Sequence, residues 1–325
     1  MQQTVETRIL EADASRALND TLEGKIRTHG PVLDMSFVQA IYKPLLDKQP
    51  RDGVIVTRDV AYGPDVRHRL DVYRPEGSGA ASHPLMIFLP GGGFIRGDKA
   101  ERENVGQFFA RQGFVVVVAN YRLAPAHVWP AGAEDAAAVY RWSRDNATAY
   151  GADVGCIFLT GESAGAAHIA AATLIRRFHP PEGLRVAGVV LISGVYNPVL
   201  EQLARAQFGI PTPDPRNDAY YGPHVERYSA MSTIALMDAS PCAPLLITFA
   251  ELDLLQMQVQ AGELFARLVT ERGFKPQLQV IRGHSHLTQG YAVNTGDESL
   301  SAPVLEFLRT CRSSENERSR ECHVI

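Results

Sequence analysis

The sequence predicts an α/β fold built on a mostly parallel sheet of about eight strands, with helices on both faces and a helical cap. Three observations predict it. Short, continuous apolar runs recur along the chain, among them Leu85–Leu89, Phe114–Ala119, Ile157–Thr160, Val189–Ile192, Leu245–Phe249 and Leu278–Ile281. Amphipathic segments with helical spacing separate most of them, such as Glu134–Asp145 and Ala164–Phe178. The runs do not alternate with polar residues, so both faces of each strand are covered, as in a parallel sheet with crossover helices. Ligands on such sheets bind beyond the carboxyl ends of the strands.

The elements follow in order. Apolar residues at three and four spacing (Leu10, Ala14, Ala17, Leu18) predict a helix from about Thr4 to Glu23. A short helix from Met35 to Tyr42 is expected to stop before Pro44. Val54–Val56, Val60–Tyr62 and Leu70–Tyr73 read as strands, the last two joined through the turn residues Gly63, Pro64 and Asp65. The alternation then runs on until Tyr196–Ser240, which carries Pro198, Pro211, Pro213, Pro215 and Pro223 together with Phe208, Tyr220, Tyr221 and Tyr228. A structureless loop of that length does not suit a compact domain, so a small helical insertion over the site is expected. The domain reading is an N-terminal arm at 1–50 contributing to the cap, a core at 51–195 and 241–311, a cap insertion at 196–240, and a disordered tail at 312–325, where the residues turn polar and charged.

Composition narrows the function. Apolar residues make up 45% and charged residues 21%, the balance of a globular protein, and the net charge of −4 provides no basic field for nucleic acid or an anionic membrane surface. No run approaches the ~18 apolar residues of a membrane span. The first 25 residues lack the hydrophobic stretch of a signal peptide. Cys156, Cys242, Cys311 and Cys322 show no disulfide or metal-site spacing, which fits reduced thiols and a cytoplasmic setting. No metal and no cofactor is expected. Nothing in the sequence sets the oligomeric state, for which a homodimer is the starting assumption.

Two motifs carry chemistry. Ile157–Thr160 runs into Gly161-Glu162-Ser163-Ala164-Gly165 and then an Ala-rich helix. In a G-x-S-x-G turn between strand and helix, the serine occupies a strained corner and the glycines avoid collisions with neighbouring elements. The turn exposes the Ser163 hydroxyl and aims the helix N-terminus at it. Upstream, Leu85–Leu89 ends in Pro90-Gly91-Gly92-Gly93-Phe94, where residues without side chains let backbone N–H groups face a developing oxyanion. A simple Gly-rich turn is the bland alternative for each motif taken alone.

With Tyr121-Arg122-Leu123-Ala124-Pro125, Pro130-Ala131 and Ala250-Glu251-Leu252-Asp253, these motifs resemble the hormone-sensitive-lipase-like branch of the α/β-hydrolases, and more loosely the arylformamidases and feruloyl-esterase-like proteins. The resemblance spans about Val54 to Leu308. It implies an oxyanion hole from the N–H groups of Gly92, Gly93 and Ala164, and a triad in the order Ser, Asp or Glu, His. Asp253 matches the family acid, with Glu251 as its competitor and helix capping as the ordinary role for either. Of His284 and His286, the family spacing selects His286. His168, within the nucleophile helix, reads as a packed residue. The chain departs from the family at Pro90, where a histidine is usual; proline fixes φ but has no side-chain donor. What the resemblance implies is a serine hydrolase that cleaves small or medium, neutral apolar esters or lactones through an acyl-enzyme. An amide or formamide hydrolase with the same triad and a non-catalytic ligand-binding module on this scaffold are the alternatives.

Overall fold

The computed structural model describes residues 21–77, 82–212, 214–239 and 243–321. Its strands are β1 (Val54–Ala61), β2 (Arg69–Pro75), β3 (His83–Leu89), β4 (Val115–Ala119), β5 (Ala152–Glu162), β6 (Gly188–Ile192), β7 (Leu245–Leu252) and β8 (Gln277–Ser285). They form one sheet in the order β1-β2-β4-β3-β5-β6-β7-β8. β1 and β2 pair antiparallel, as do β2 and β4, and every pairing from β4 onward is parallel. The helices are α1 (21–29), α2 (Met35–Leu46), α3 (Glu103–Arg111), α4 (Ala131–Asn146), α5 (Ala164–Leu174), α6 (Pro198–Gln207), α7 (Pro215–Tyr221), α8 (Thr233–Leu236), α9 (Leu255–Arg272), α10 (Thr288–Ala292) and α11 (Ser301–Glu321).

The continuous apolar runs are explained by two cores, one on each face. Successive strand residues point to opposite sides. Leu85, Ile87, Val115, Val117, Leu159 and Ile247 face one way and pack with Val139 of α4, Ile169 of α5 and Leu264 of α9. Met86, Phe88, Val116, Val118, Phe158 and Leu246 face the other and meet Phe109 of α3 and Phe307 of α11. Fully burying each such side chain is worth about 1.5–3 kcal/mol. The parallel pairing of β3, β5, β6, β7 and β8 holds their carboxyl ends side by side.

Three local expectations meet a different outcome. Residues 54–56 and 60–62 join in one strand: β1 runs through a bulge at Asp59, whose φ is 57° and whose N–H donates to Asp71 Oδ1 at 2.8 Å. The helix expected to end before Pro44 continues to Leu46. Pro44 in the last turn gives up its bond to the carbonyl four residues back, and the packing of Val38 and Tyr42 against Leu22, Tyr291 and Ala292 holds α2 through it. The tail expected to be disordered from Arg312 is helical as far as Glu321; its Glu- and Arg-rich sequence has no Gly or Pro to stop the helix. The helix predicted over 4–23 lies largely outside the described residues, and its described end is part of α1. Between β6 and β7, the expected helical segment contains α6, α7 and α8.

Candidate active site

Ser163 stands at the end of β5 and start of α5, with φ 52° and ψ −117°. A non-glycine residue is held there only by surrounding structure that over-determines it. The flanking glycines supply that constraint. A Cβ on Gly161 would lie 2.5 Å from the backbone of Gly165, and a Cβ on Gly165 would lie 2.1 Å from Leu89 O. Both glycines are needed for β5, α5 and the end of β3 to approach this closely.

Two further strand ends bring their residues to this corner. Asp253 follows β7, and His286 follows β8. His286 Nε2 lies 2.9 Å from Ser163 Oγ, and His286 Nδ1 lies 2.7 Å from Asp253 Oδ1. The carboxylate accepts at Nδ1, so the proton sits on Nδ1 and Nε2 is left to accept from the hydroxyl. Burial works against a charged His286, but the charge and hydrogen bond of Asp253 outweigh it and hold the imidazole above its ordinary value. Asp253 is fixed by more than the histidine. Leu254 N donates to Oδ1 at 2.8 Å, Ala250 N to Oδ2 at 3.1 Å and Ser193 Oγ to Oδ2 at 2.5 Å. Ser193 in turn accepts from Gln289 Nε2 at 2.6 Å.

The two competitors serve elsewhere. Glu251 accepts from Gly283 N at 2.9 Å and from Arg27 at 2.8 Å, tying β7 to β8 and α1. His284 faces Asp297 at 3.2 Å and Thr288 Oγ1 at 3.2 Å, away from Ser163. His168 is buried among Phe94, Tyr121 and Tyr220, and burial pulls its pKa down to about 4.

The glycine loop after β3 faces the serine. A Cβ on Gly91 would come within 3.1 Å of Ser163 Cβ, while Gly92 (φ 151°) and Gly93 (φ 59°) adopt conformations that L side chains avoid. Among the described residues, no backbone carbonyl takes up the N–H groups of Gly92, Gly93 or Ala164. Pro90 contributes its carbonyl, which accepts from the buried Tyr121 hydroxyl at 2.9 Å. The loop is thus anchored from the Tyr-Arg-Leu-Ala-Pro segment, which is itself pinned where Arg122 grips Asp135 at 2.8 Å.

Sequence reasoning missed several groups. Glu162, beside the nucleophile, is buried and paired to the equally buried Arg102 through two hydrogen bonds of 2.6 and 2.9 Å. Arg102 also lies 4.4 Å from the Tyr291 ring centroid. A charged residue at the buried end of a strand demands a partner, which was the signal available. Ser193 and Arg216 gave none. The tyrosines between β6 and β7 are used for packing: Tyr220 stacks on Phe94 at 4.4 Å, and Tyr221 and Tyr228 join the same cluster. Ser163 and His286 line two adjoining cavities. The larger, about 200 Å³, includes Gly91–Gly93, Arg96, Arg216 and Tyr291; the smaller, about 20 Å³, includes Phe94, Ala164, Val195, Glu201 and Met257. Among the described residues no cluster of His, Cys, Asp or Glu could hold a metal, and no helix is long and apolar enough to cross a membrane.

A nucleophile elbow on a mostly parallel eight-stranded sheet, with a histidine and a carboxylate delivered by the last two strands, defines the α/β-hydrolase class. A family model described as alpha/beta hydrolase fold matches residues 86–289, and the chain belongs to that family. Over 149 residues it is 35% identical to esterase LipC of Mycobacterium tuberculosis (strain ATCC 25618 / H37Rv), covering 43% of this chain and 37% of that protein. A probable isoprenylcysteine alpha-carbonyl methylesterase of Oryza sativa subsp. japonica is 29% identical over 249 residues, 71% of this chain and 58% of its own length. The chain thus spans less than two thirds of these curated relatives. Among solved structures, a hyperthermophilic esterase from the archaeon Pyrobaculum calidifontis is similar with a TM-score of 0.67 and 25% identity, over 92% of this chain and 97% of that one. Esterase B from Lactobacillus rhamnosis shares the fold at a TM-score of 0.71 and 19% identity, over 94% and 99%.

Proposed function

We propose that this chain is a serine hydrolase that cleaves carboxylic esters, open-chain or lactone, through an acyl-enzyme. One observation carries the reading: the unbroken hydrogen-bond line from Ser163 Oγ to His286 to Asp253, at 2.9 and 2.7 Å. Family membership and relatives named as esterases support it.

In this mechanism His286 Nε2 takes the Ser163 proton as the oxygen adds to the ester carbonyl. Asp253 holds the Nδ1 tautomer and stabilises the imidazolium. Negative charge on the former carbonyl oxygen meets the N–H groups of Gly92, Gly93 and Ala164, each such donor contributing about 3 kcal/mol to transition-state stabilisation. His286 then protonates the departing alcohol. Water, deprotonated by the same nitrogen, hydrolyses the acyl-enzyme and returns Ser163 to its starting state.

The domain reading extends this. Leu33, Met35 and Gln39 from the N-terminal arm, and Glu201 and Arg216 from between β6 and β7, line the cavities around Ser163. They support 1–50 and 196–240 acting together as a cap on the core. Thiols without disulfide spacing support a cytoplasmic setting.

The test is Ser163→Ala with p-nitrophenyl acetate. Turnover falls to background while the circular dichroism spectrum is retained, and a fluorophosphonate labels the wild type alone. A variant that hydrolyses the ester at the wild-type rate overturns the reading.

A further inference from the structure

Two arginines stand in the wall of the larger cavity. Arg216, on α7, gives Nε and Nη2 to the Asp214 carboxylate at 2.9 and 2.5 Å, whereas its Nη1 makes no hydrogen bond with any described residue. Its side chain lies against the glycine loop: a Cβ on Gly93 would meet Arg216 Cδ at 2.7 Å and Nη1 at 3.5 Å. The guanidinium therefore sits beside the groups proposed to hold the oxyanion, and it borders both cavities. Arg96, at the far end of the same loop, is exposed, lines the larger cavity and pairs with no described carboxylate.

The counter-charges do not cancel this edge. Glu162 is closed on Arg102, and Asp214 is shared with Arg205 at 3.0 Å. Glu101 remains in the wall of the larger cavity, on an exposed stretch. In the smaller cavity Phe94, Val195, Leu254 and Met257 are apolar, and its one carboxyl, Glu201, accepts from Asn217 at 2.8 Å and is pushed up by burial. The volumes divide the substrate as well. The smaller cavity, at about 20 Å³, exceeds only slightly the ~10–15 Å³ that holds a single water, so it takes a methyl-sized acyl group. The leaving group belongs in the larger one, beside His286, at about 200 Å³.

Resting on the ester-hydrolase reading above, we propose that the site selects short-acyl esters whose leaving group carries a carboxylate, held by Arg216 and Arg96. A neutral leaving group strips water from the open N–H edge of Arg216 and returns at most a bond from an uncharged acceptor, whereas a carboxylate restores the lost bonds with ionic ones in a two-oxygen fork. Selection thus comes from a penalty on neutral substrates as well as an attraction for anionic ones.

The experiment compares 3-acetoxybenzoate with its neutral isostere 3-acetoxybenzamide, following phenol release and normalising to sites counted by fluorophosphonate titration. Wild type prefers the benzoate in kcat/KM by about 10- to 100-fold, the worth of one hydrogen bond to a charged group. Arg96→Gln, on an exposed and unpaired side chain, and Arg216→Gln each lower that ratio several-fold. High salt weakens the contribution of exposed Arg96 more than that of part-buried Arg216. A wild-type ratio of one or less overturns the proposal, as does a ratio that neither variant changes. Failure of both esters and of fluorophosphonate labelling would instead overturn the hydrolase reading, and the selectivity with it.

Discussion

Replacing Ser193 by alanine tests how Asp253, the carboxylate of the proposed triad, is held. Its hydroxyl gives Asp253 Oδ2 a hydrogen bond of 2.5 Å, and three donors remain without it: His286 Nδ1, Leu254 N and Ala250 N. A hydrogen bond to a charged group contributes about 1.5–3 kcal/mol. Expressed wholly in the transition state, that is a loss of roughly 10- to 150-fold in kcat, at 1.36 kcal/mol per tenfold. The remaining donors keep the carboxylate close to its position, which places the expected loss near the lower bound. Gln289 loses its partner at Ser193 but keeps His286 O at 3.2 Å. Ser193 lines neither cavity, so KM should stay within about twofold of wild type by the logic of transition-state-only interactions. Steady-state kinetics on p-nitrophenyl acetate, with active sites titrated, gives both constants. An unchanged kcat would mean that the backbone donors alone position Asp253. A fall approaching the ~10⁴ of a triad Asp→Asn change would mean that the hydroxyl sets the tautomer, contrary to the geometry.

Two further outcomes follow from the same contacts. His284→Ala should keep turnover while lowering the urea or thermal midpoint, since buried Asp297 loses its 3.2 Å partner and an unsatisfied buried group costs about 1–3 kcal/mol; loss of turnover with the midpoint intact would transfer the base to residue 284. The pH profile of kcat/KM should rise through an apparent pKa above 6.5, because only neutral His286 can accept the Ser163 proton and Asp253 favours its charged form. An acid limb centred below 6.5 would refute that sign.

The parts of this site that ride on strand ends could be read from the chain alone. Ser163 follows a buried run and precedes a helix, and that local order marked it. Asp253 and His286 lie just after the runs of β7 and β8, but their choice over Glu251 and His284 came from the family spacing, because local order alone does not separate neighbours on one strand end. The groups that went unread are joined only in space. Arg102 and Glu162 come from different elements, as do Ser193 and Gln289, and neither pair has a spacing that periodicity could reveal. The fate of the tyrosines between β6 and β7 was equally hidden: their aromatic character was plain, but only the fold shows that Tyr220 stacks on Phe94 while Glu201, Arg216 and Asn217 border the cavity. At Pro44 and in the C-terminal tail, local rules on breakers and charge misjudged how far a helix continues.

Glu162, Asp253 and Glu201 lie around Ser163, and the structure treats each differently. Glu162 is paired through two bonds from Arg102, and its charge adds to that of Asp253 in holding the His286 imidazole above its ordinary value. Asp253 is ringed by neutral donors and has no cation beside it except the imidazole, so its charge is directed at His286. Glu201 is pushed up by burial and accepts from Asn217, while Asp214 pairs with both Arg205 and Arg216, so one carboxylate faces two guanidiniums at the cavity edge. The same carboxyl chemistry therefore yields one charge directed at the imidazole, one structural ion pair and one buried acid held by an amide. This division requires that Glu162→Gln and Asp253→Asn fail for different reasons. The first strands Arg102 in the interior and costs about 3–5 kcal/mol of stability, as breaking a buried pair does. The second leaves the fold in place and removes the charge that favours an imidazolium.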